Sequence, residues 1–222
     1  MTQQETPAPQ QETRASRHGK RRWWRNNGLA LIVLLPLAAA AVFASSYRLT
    51  DTYWSARPSE ALPVDGDSAT YRSSYRVAGK TYEREIGVRL VSVAEQGELH
   101  GQVPVDGAAQ WAVSFEFTAP ATMTADGCTL EVLDAEGRIY RPRAALKPAP
   151  GAPPPIPRDP CLVPGKEGPI LDRFTGELMD SPEPRGGSWR STIGVAMPDG
   201  VKPAKVRLYW DTPNYVEFDA AP

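Results

Sequence analysis

The chain has 222 residues, 41% of them hydrophobic, with 23 prolines, 18 glycines, two cysteines and a formal charge of −1. That length accommodates one modest hydrophobic core with appendages and excludes a long repeat array. Near neutrality removes the broad basic field with which nucleic-acid binders hold phosphates, so no nucleic acid is expected as a partner.

The average conceals a segregation of charge. Residues 1–27 carry Arg14, Arg17, Lys20, Arg21, Arg22 and Arg25 against Glu5 and Glu12, a net of +4, so the rest of the chain carries −5. This tail is rich in Gln, Thr and Pro and has no apolar residue able to seed a core before Trp23, which predicts disorder. Its basic cluster, residues 20–25, is explained by attraction to anionic lipid, about 1 kcal/mol per side chain near the surface. His18 has no Cys or His neighbour at ligand spacing, and no metal is expected there.

Residues 28–46, GLALIVLLPLAAAAVFASS, hold no charge. Nineteen helical residues extend about 28 Å, close to the hydrocarbon thickness of a bilayer, and predict one transmembrane helix that Pro36 kinks but does not break. Trp23 and Trp24 before the span, and Tyr47, Tyr53 and Trp54 after it, place amphipathic rings near both headgroup levels. Six basic residues precede the span while only Arg48 and Arg57 follow closely, so the N-terminus is expected in the cytoplasm and residues 47–222 outside, in a single-pass cell-membrane protein. The alternative is a signal peptide cut after Ala44, which would release a secreted ligand-binding protein.

Residues 47–66, with Pro58 and Pro63, read as a stalk. From residue 67 to 222 the pattern changes to a β domain. Gly-containing turns such as Ala78-Gly79, Asp106-Gly107, Asp126-Gly127, Glu136-Gly137 and Asp199-Gly200 separate runs rich in β-branched and aromatic residues, the signature of an antiparallel sandwich or barrel. Ile86, Val88, Leu90 and then Ser92 fall on one face at period two, as do Trp111, Val113, Phe115 and Phe117, and Cys128, Leu130 and Val132. Further runs at 69–77, 139–140, 193–195, 206–210 and 215–218 bring the expected number to about eight strands. Trp111, Trp189 and Trp210 are expected in the core, each indole N–H with a partner.

Residues 142–169 contain ten prolines in 28 positions, which predicts an exposed loop of polyproline II character. Leu171, Phe174 and Leu178 then fall at helical spacing, so one or two helical turns are expected over residues 170–179. Cys128 and Cys161 both lie on the expected outer side, where oxidising conditions favour a disulfide, and closing a loop of 33 residues stabilises by about 3 to 4 kcal/mol.

Motifs for chemistry are scarce. The sequence has no G-x-S-x-G, S-x-x-K, H-E-x-x-H, paired C-x-x-C, Walker or calcium-loop pattern. His100 is the one histidine beyond the span, and Asp65-Gly66-Asp67 is better read as a turn than as a cation loop. Alternating charges at Glu83, Arg84 and Glu85 read as a solvated strand face. No catalytic, cofactor or metal site is therefore expected.

The run from Cys128 to Tyr140, CTLEVLDAEGRIY, a loop bearing Cys161, Trp189 before an apolar strand, Met197-Pro198-Asp199-Gly200 and a last hairpin through Pro213 together resemble the immunoglobulin-like, telokin-like ectodomains of actinobacterial envelope proteins over about 100 residues. The resemblance implies an immunoglobulin-like β-sandwich in an exported or membrane-tethered protein, and it transfers no enzymatic activity. The expectation is a non-enzymatic module that binds another envelope protein or a wall component, with an accessory subunit of a membrane assembly as the alternative.

Overall fold

The computed structural model describes residues 16–54, 56–153, 159–180 and 184–220. Two compact units divide at Trp54.

The first unit is a single helix, α1 (Ser16–Trp54), with Pro36 inside it. Its apolar window, Ala30–Tyr47, has a mean hydropathy of 2.1 and no buried residue. A helix with this length and composition is that of a membrane anchor or a signal sequence. It runs past the predicted span at both ends: residues 16–27, expected as disordered tail, and residues 47–54, expected as stalk, are helical. Once a long helix is nucleated each added residue gains a hydrogen bond at little cost, and no proline lies between Pro36 and Pro58 to stop it. The remainder of the predicted tail, residues 1–15, lies outside the described residues.

In the second unit β1 (Glu60–Ala61) and β2 (Val64–Asp65) lead into a long hairpin of β3 (Ser68–Val77) and β4 (Lys80–Glu95). There follow β5 (Gln102–Pro104), β6 (Ala108–Thr118), β7 (Thr129–Leu133), β8 (Ile139–Tyr140) and β9 (Leu146–Pro148). The chain closes with β10 (Ile170–Leu171), β11 (Leu178–Met179), β12 (Ser188–Pro198), β13 (Lys205–Tyr209) and β14 (Asn214–Asp219). Two five-stranded sheets, ordered β1-β14-β13-β7-β8 and β12-β6-β4-β3-β2, pack in a sandwich-like arrangement, with β5-β9 and β10-β11 as separate two-stranded ribbons. Every pairing is antiparallel except β1 with β14. Residues 60–61 and 64–65, expected as stalk, are thus part of the sheets, because β1 and β2 each find a partner edge.

The expected period of two explains the core. Tyr71, Ile86, Val88, Val113, Phe115, Phe117, Ile193 and Val195 from one sheet meet Leu130, Val132, Val206, Leu208, Val216 and Phe218 from the other. Large apolar side chains buried in this way each stabilise by about 1.5 to 3 kcal/mol. Ring contacts cross between sheets, Phe115 to Phe218 at 6.2 Å and Tyr71 to Trp210 at 4.8 Å between centroids. In β4 the pattern breaks at a bulge between Leu90 and Ser92, which leaves Ser92 exposed and brings Val93 opposite Val113. The extra residue reverses the facing of everything after it, so Ser92 does not continue the face of Ile86, Val88 and Leu90.

Three other expectations change. Residues 170–179 form the β10-β11 hairpin rather than helical turns. The Asp172 carboxylate accepts from the amides of Phe174 and Thr175, and Gly176 at φ +64° completes a turn that a helix would not allow. The proline-rich segment is not uniformly exposed: Leu146–Pro148 pairs with β5, and Cys161 and Leu162 are buried. Its residues 154–158 lie outside the described residues. Trp189 and Trp210 are buried and donate to the carbonyls of Cys161 (2.7 Å) and Ala125 (2.9 Å), but Trp111 is only partly buried and its indole nitrogen has no partner.

Candidate functional site

β12 is an edge strand, and this position creates the candidate site. Ala119 N–H donates to Gly187 O, and Asp199 N–H to Gly107 O, one on either side of the β12-β6 ladder. Antiparallel pairs alternate between hydrogen-bonded and non-bonded, so the odd-numbered residues of β12 exchange their main-chain bonds with β6. The N–H and C=O groups of Arg190, Thr192, Gly194 and Ala196 then point away from the sheet.

A groove of about 290 Å³ runs along this edge, lined by all five consecutive residues from Arg190 to Gly194. Side chains of both faces line it together because the groove follows the strand's backbone edge. Leu146 and Leu162 supply apolar walls, and Pro142, Pro160 and Pro164 stand along them. Proline has no N–H, so at Pro142, Pro160 and Pro164 the wall offers no main-chain donor to the edge of β12.

Two contacts fix the rim. His100, at φ +53°, brings Nε2 to 3.1 Å from Thr192 O, and Ser191 Oγ donates to Pro160 O at 2.9 Å. The proline wall is held from beneath by the disulfide. Cys128, immediately before β7, and Cys161 are bonded with Cα atoms 6.0 Å apart. Asp159 binds the same junction, accepting from the amides of Gly127 (2.5 Å), Cys128 (3.3 Å) and Cys161 (2.9 Å). Burial pushes the Asp159 carboxyl up, against the lowering effect of those three amides. Cys128, Asp159 and Cys161 together make a cluster with metal-ligand spacing, but both sulfurs are spent in the disulfide and the carboxylate faces backbone amides. That donor set does not suit a cation.

Arg143, Arg190 and Asp159 line the groove, and Arg190, 60% exposed, lies 3.7 Å from Glu116. Glu116 is already engaged closely by Arg89.

A second cleft, of about 470 Å³, opens at Tyr75, Arg76, Arg84, Arg173 and Asp211. Arg84 was expected on a solvated face and is instead 5% exposed. Its Nη1 meets Asp211 Oδ2 at 2.6 Å, its Nε donates to Thr124 O at 3.3 Å, and its guanidinium lies 4.4 Å from the centre of the Tyr75 ring. With these donors occupied, the cleft floor is a structural ion pair. Beside it the β10-β11 hairpin projects Phe174, 94% exposed.

The sequence pointed to Cys128 and Cys161, and the structure bonds them; it places His100 at the groove rim and Asp65-Gly66-Asp67 in the β2-β3 turn. It did not point to the β12 edge. A run of alternating apolar residues looks the same in an edge strand as in a central one, and only the prolines of the loop hinted that something near them would stay unpaired. No family model, curated protein or solved structure matches this chain.

Proposed function

We propose that this is a single-pass membrane protein whose C-terminal β-sandwich, immunoglobulin-like and of the telokin-like kind seen in actinobacterial envelope proteins, lies outside the cell and binds another envelope component without catalysing a reaction. The observation that carries this reading is an apolar helical window, Ala30–Tyr47, with no buried residue, in a chain whose β domain holds a disulfide. Such a helix suits a membrane anchor or a signal sequence, and an oxidising compartment favours such a bond. The basic excess ahead of the helix supports a cytoplasmic N-terminus.

Protease added to intact cells expressing the chain with a tag at each end tests the reading. Digestion of the C-terminal tag and protection of the N-terminal one are expected. A protected C-terminal tag overturns the sidedness, and a mature chain that begins after Ala44 overturns the anchor in favour of a secreted protein.

A further inference from the structure

We propose that the β10-β11 hairpin is a second membrane contact, whose apolar tip, with Phe174 foremost, inserts into the surface of the bilayer that holds α1. The inference rests on the anchored reading above and deepens it by naming the surface with which the β domain meets lipid.

Three observations carry it. First, the hairpin holds apolar side chains that the fold leaves in solvent. Phe174 is almost fully exposed at the turn, and Ile170, Leu178 and Met179 are each about half exposed. Ile170 pairs with Met179 across the ribbon, so these groups lie together, whereas exposed apolar residues scattered singly would call for no explanation. The projection is also built. Asp172 accepts from the amides of Phe174 and Thr175, and Gly176 O accepts from Lys80 and from the Tyr82 hydroxyl, which pins the base of the turn to the β3-β4 hairpin.

Second, the hairpin stands at the end of the sandwich where the chain enters it. The amides of Ser59 and Glu60 donate to Pro213 O at 2.9 and 3.0 Å, and Asp211, two residues before that proline, lines one cleft with Leu171 and Arg173 of the hairpin. The turns at Asp106-Gly107 and Asp199-Gly200 close the opposite end of the β12-β6-β4 ladder. Third, the connection to the anchor is short. Residues 55–59 join α1 to β1 and reach at most about 20 Å when fully extended. A tether of that length makes lipid contact by the hairpin nearly intramolecular, so a few apolar side chains suffice where an untethered domain would need a larger surface. A soluble partner gains nothing from the tether.

Charge does not select the occupant. Around the tip Arg76, Lys80 and Arg173 stand with Asp172, Glu177 and Asp180, a balanced set. Insertion driven by apolar area should therefore proceed on a zwitterionic bilayer and resist salt.

The test uses the full-length chain in phosphatidylcholine nanodiscs, with one nitroxide placed through Phe174→Cys, Met179→Cys or, at the far end, Asp199→Cys. Cys128 and Cys161 are bonded to each other and take no label. Oxygen concentrates in lipid and a nickel chelate in water, so their collision rates with the nitroxide separate the two surroundings. At positions 174 and 179 collisions with the chelate are expected at least fivefold below those at 199, with oxygen collisions undiminished, at low and high salt alike. Phe174→Ser removes an exposed side chain, leaves the sandwich intact, and should return position 179 to water, raising its chelate collisions at least threefold. The proposal is overturned if position 174 meets the chelate as readily as 199, which puts the tip in water, if both reagents are excluded from 174, which puts a protein surface against it, or if Phe174→Ser leaves position 179 unchanged. A chain that stays out of the nanodiscs overturns the anchored reading and this inference together, while one that enters them with its tip in water overturns this inference alone. Lipid contact at position 174 in a chain whose mature form begins after Ala44 would sink the anchored reading and leave the hairpin standing as a lipid-binding element.

Discussion

Arg84 on β4 of one sheet and Asp211, two residues past the end of β13 of the other, meet at 2.6 Å with the arginine almost fully buried. The same carboxylate accepts from Ser73 Oγ at 2.7 Å, and the Asp211 backbone N–H donates to the Tyr71 hydroxyl at 2.8 Å. One short segment therefore ties β3 and β4 to the opposite sheet.

Removing one member of this pair should be costly because the other is left without its counter-charge. For a fully buried pair that cost is about 3 to 5 kcal/mol. Asp211 retains 25% of its side-chain exposure, so Asp211→Asn and Arg84→Met are each expected to lower stability by about 2 to 3 kcal/mol. The midpoint of urea denaturation measures it, and a change below about 0.5 kcal/mol, the ordinary range for surface substitutions, would contradict the burial argument.

The disulfide makes a separate contribution. Cys128→Ser with Cys161→Ser is expected to cost about 3 to 4 kcal/mol, chiefly through the loop freed in the unfolded chain. Thermal unfolding with and without reductant should show the same difference for the wild type and none for the double variant. Alkylation of both cysteines in the native, unreduced chain would remove the bond from the account.

Acid should weaken the fold through Asp134. Burial alone would raise its carboxyl, but the Arg138 amide, the Arg138 guanidinium and the Tyr140 hydroxyl outweigh it and hold the group below the ordinary carboxylate range. A carboxyl with a lowered folded value contributes stability that is full above its unfolded value, about 3.9, and is lost as pH falls through the folded one. Asp159, raised by burial, acts in the opposite sense, since its charged form is the one that folding disfavours. Stability measured from pH 6 down to pH 2 should therefore fall less steeply in Asp134→Asn than in the wild type, and more steeply in Asp159→Asn. Parallel curves would mean that neither carboxylate is coupled to folding.

Gly176 anchors the exposed hairpin. Its carbonyl accepts from Lys80 Nζ at 3.3 Å and from the Tyr82 hydroxyl, and a Cβ added there would lie 3.1 Å from Val77 O at a backbone angle of φ +64°. Gly176→Val should detach β10-β11 from the β3-β4 turn without unfolding the sandwich. Trypsin cleavage after the exposed Arg173 is the readout, expected to quicken several-fold while the global unfolding midpoint moves little. Equal cleavage rates would show that the hairpin is held elsewhere.

The part of the fold legible in the sequence follows from local periodicity. Phe115 and Phe117, Leu130 and Val132, and Val206 and Leu208 face inward because alternation along a strand is written in consecutive residues. Leu171, Phe174 and Leu178 misled because their spacing also fits a helix, whereas the hairpin is set by the Asp172 side chain and the Gly176 backbone. The bulge after Leu90 and the pairing of Arg84 with Asp211 depend on partners far along the chain, and no window of sequence contains both members.

By itself the sequence determined an apolar helix near the amino end, a β-rich remainder and two cysteines able to bridge, since each follows from composition or short-range pattern. Only the tertiary structure decided that β12 stands at an edge, that the proline-rich segment forms a wall beside it, and that Arg84 lies inside. Strand order and charge burial are settled by which distant segments come together, and the free energy of that choice comes from packing between residues that the sequence keeps apart.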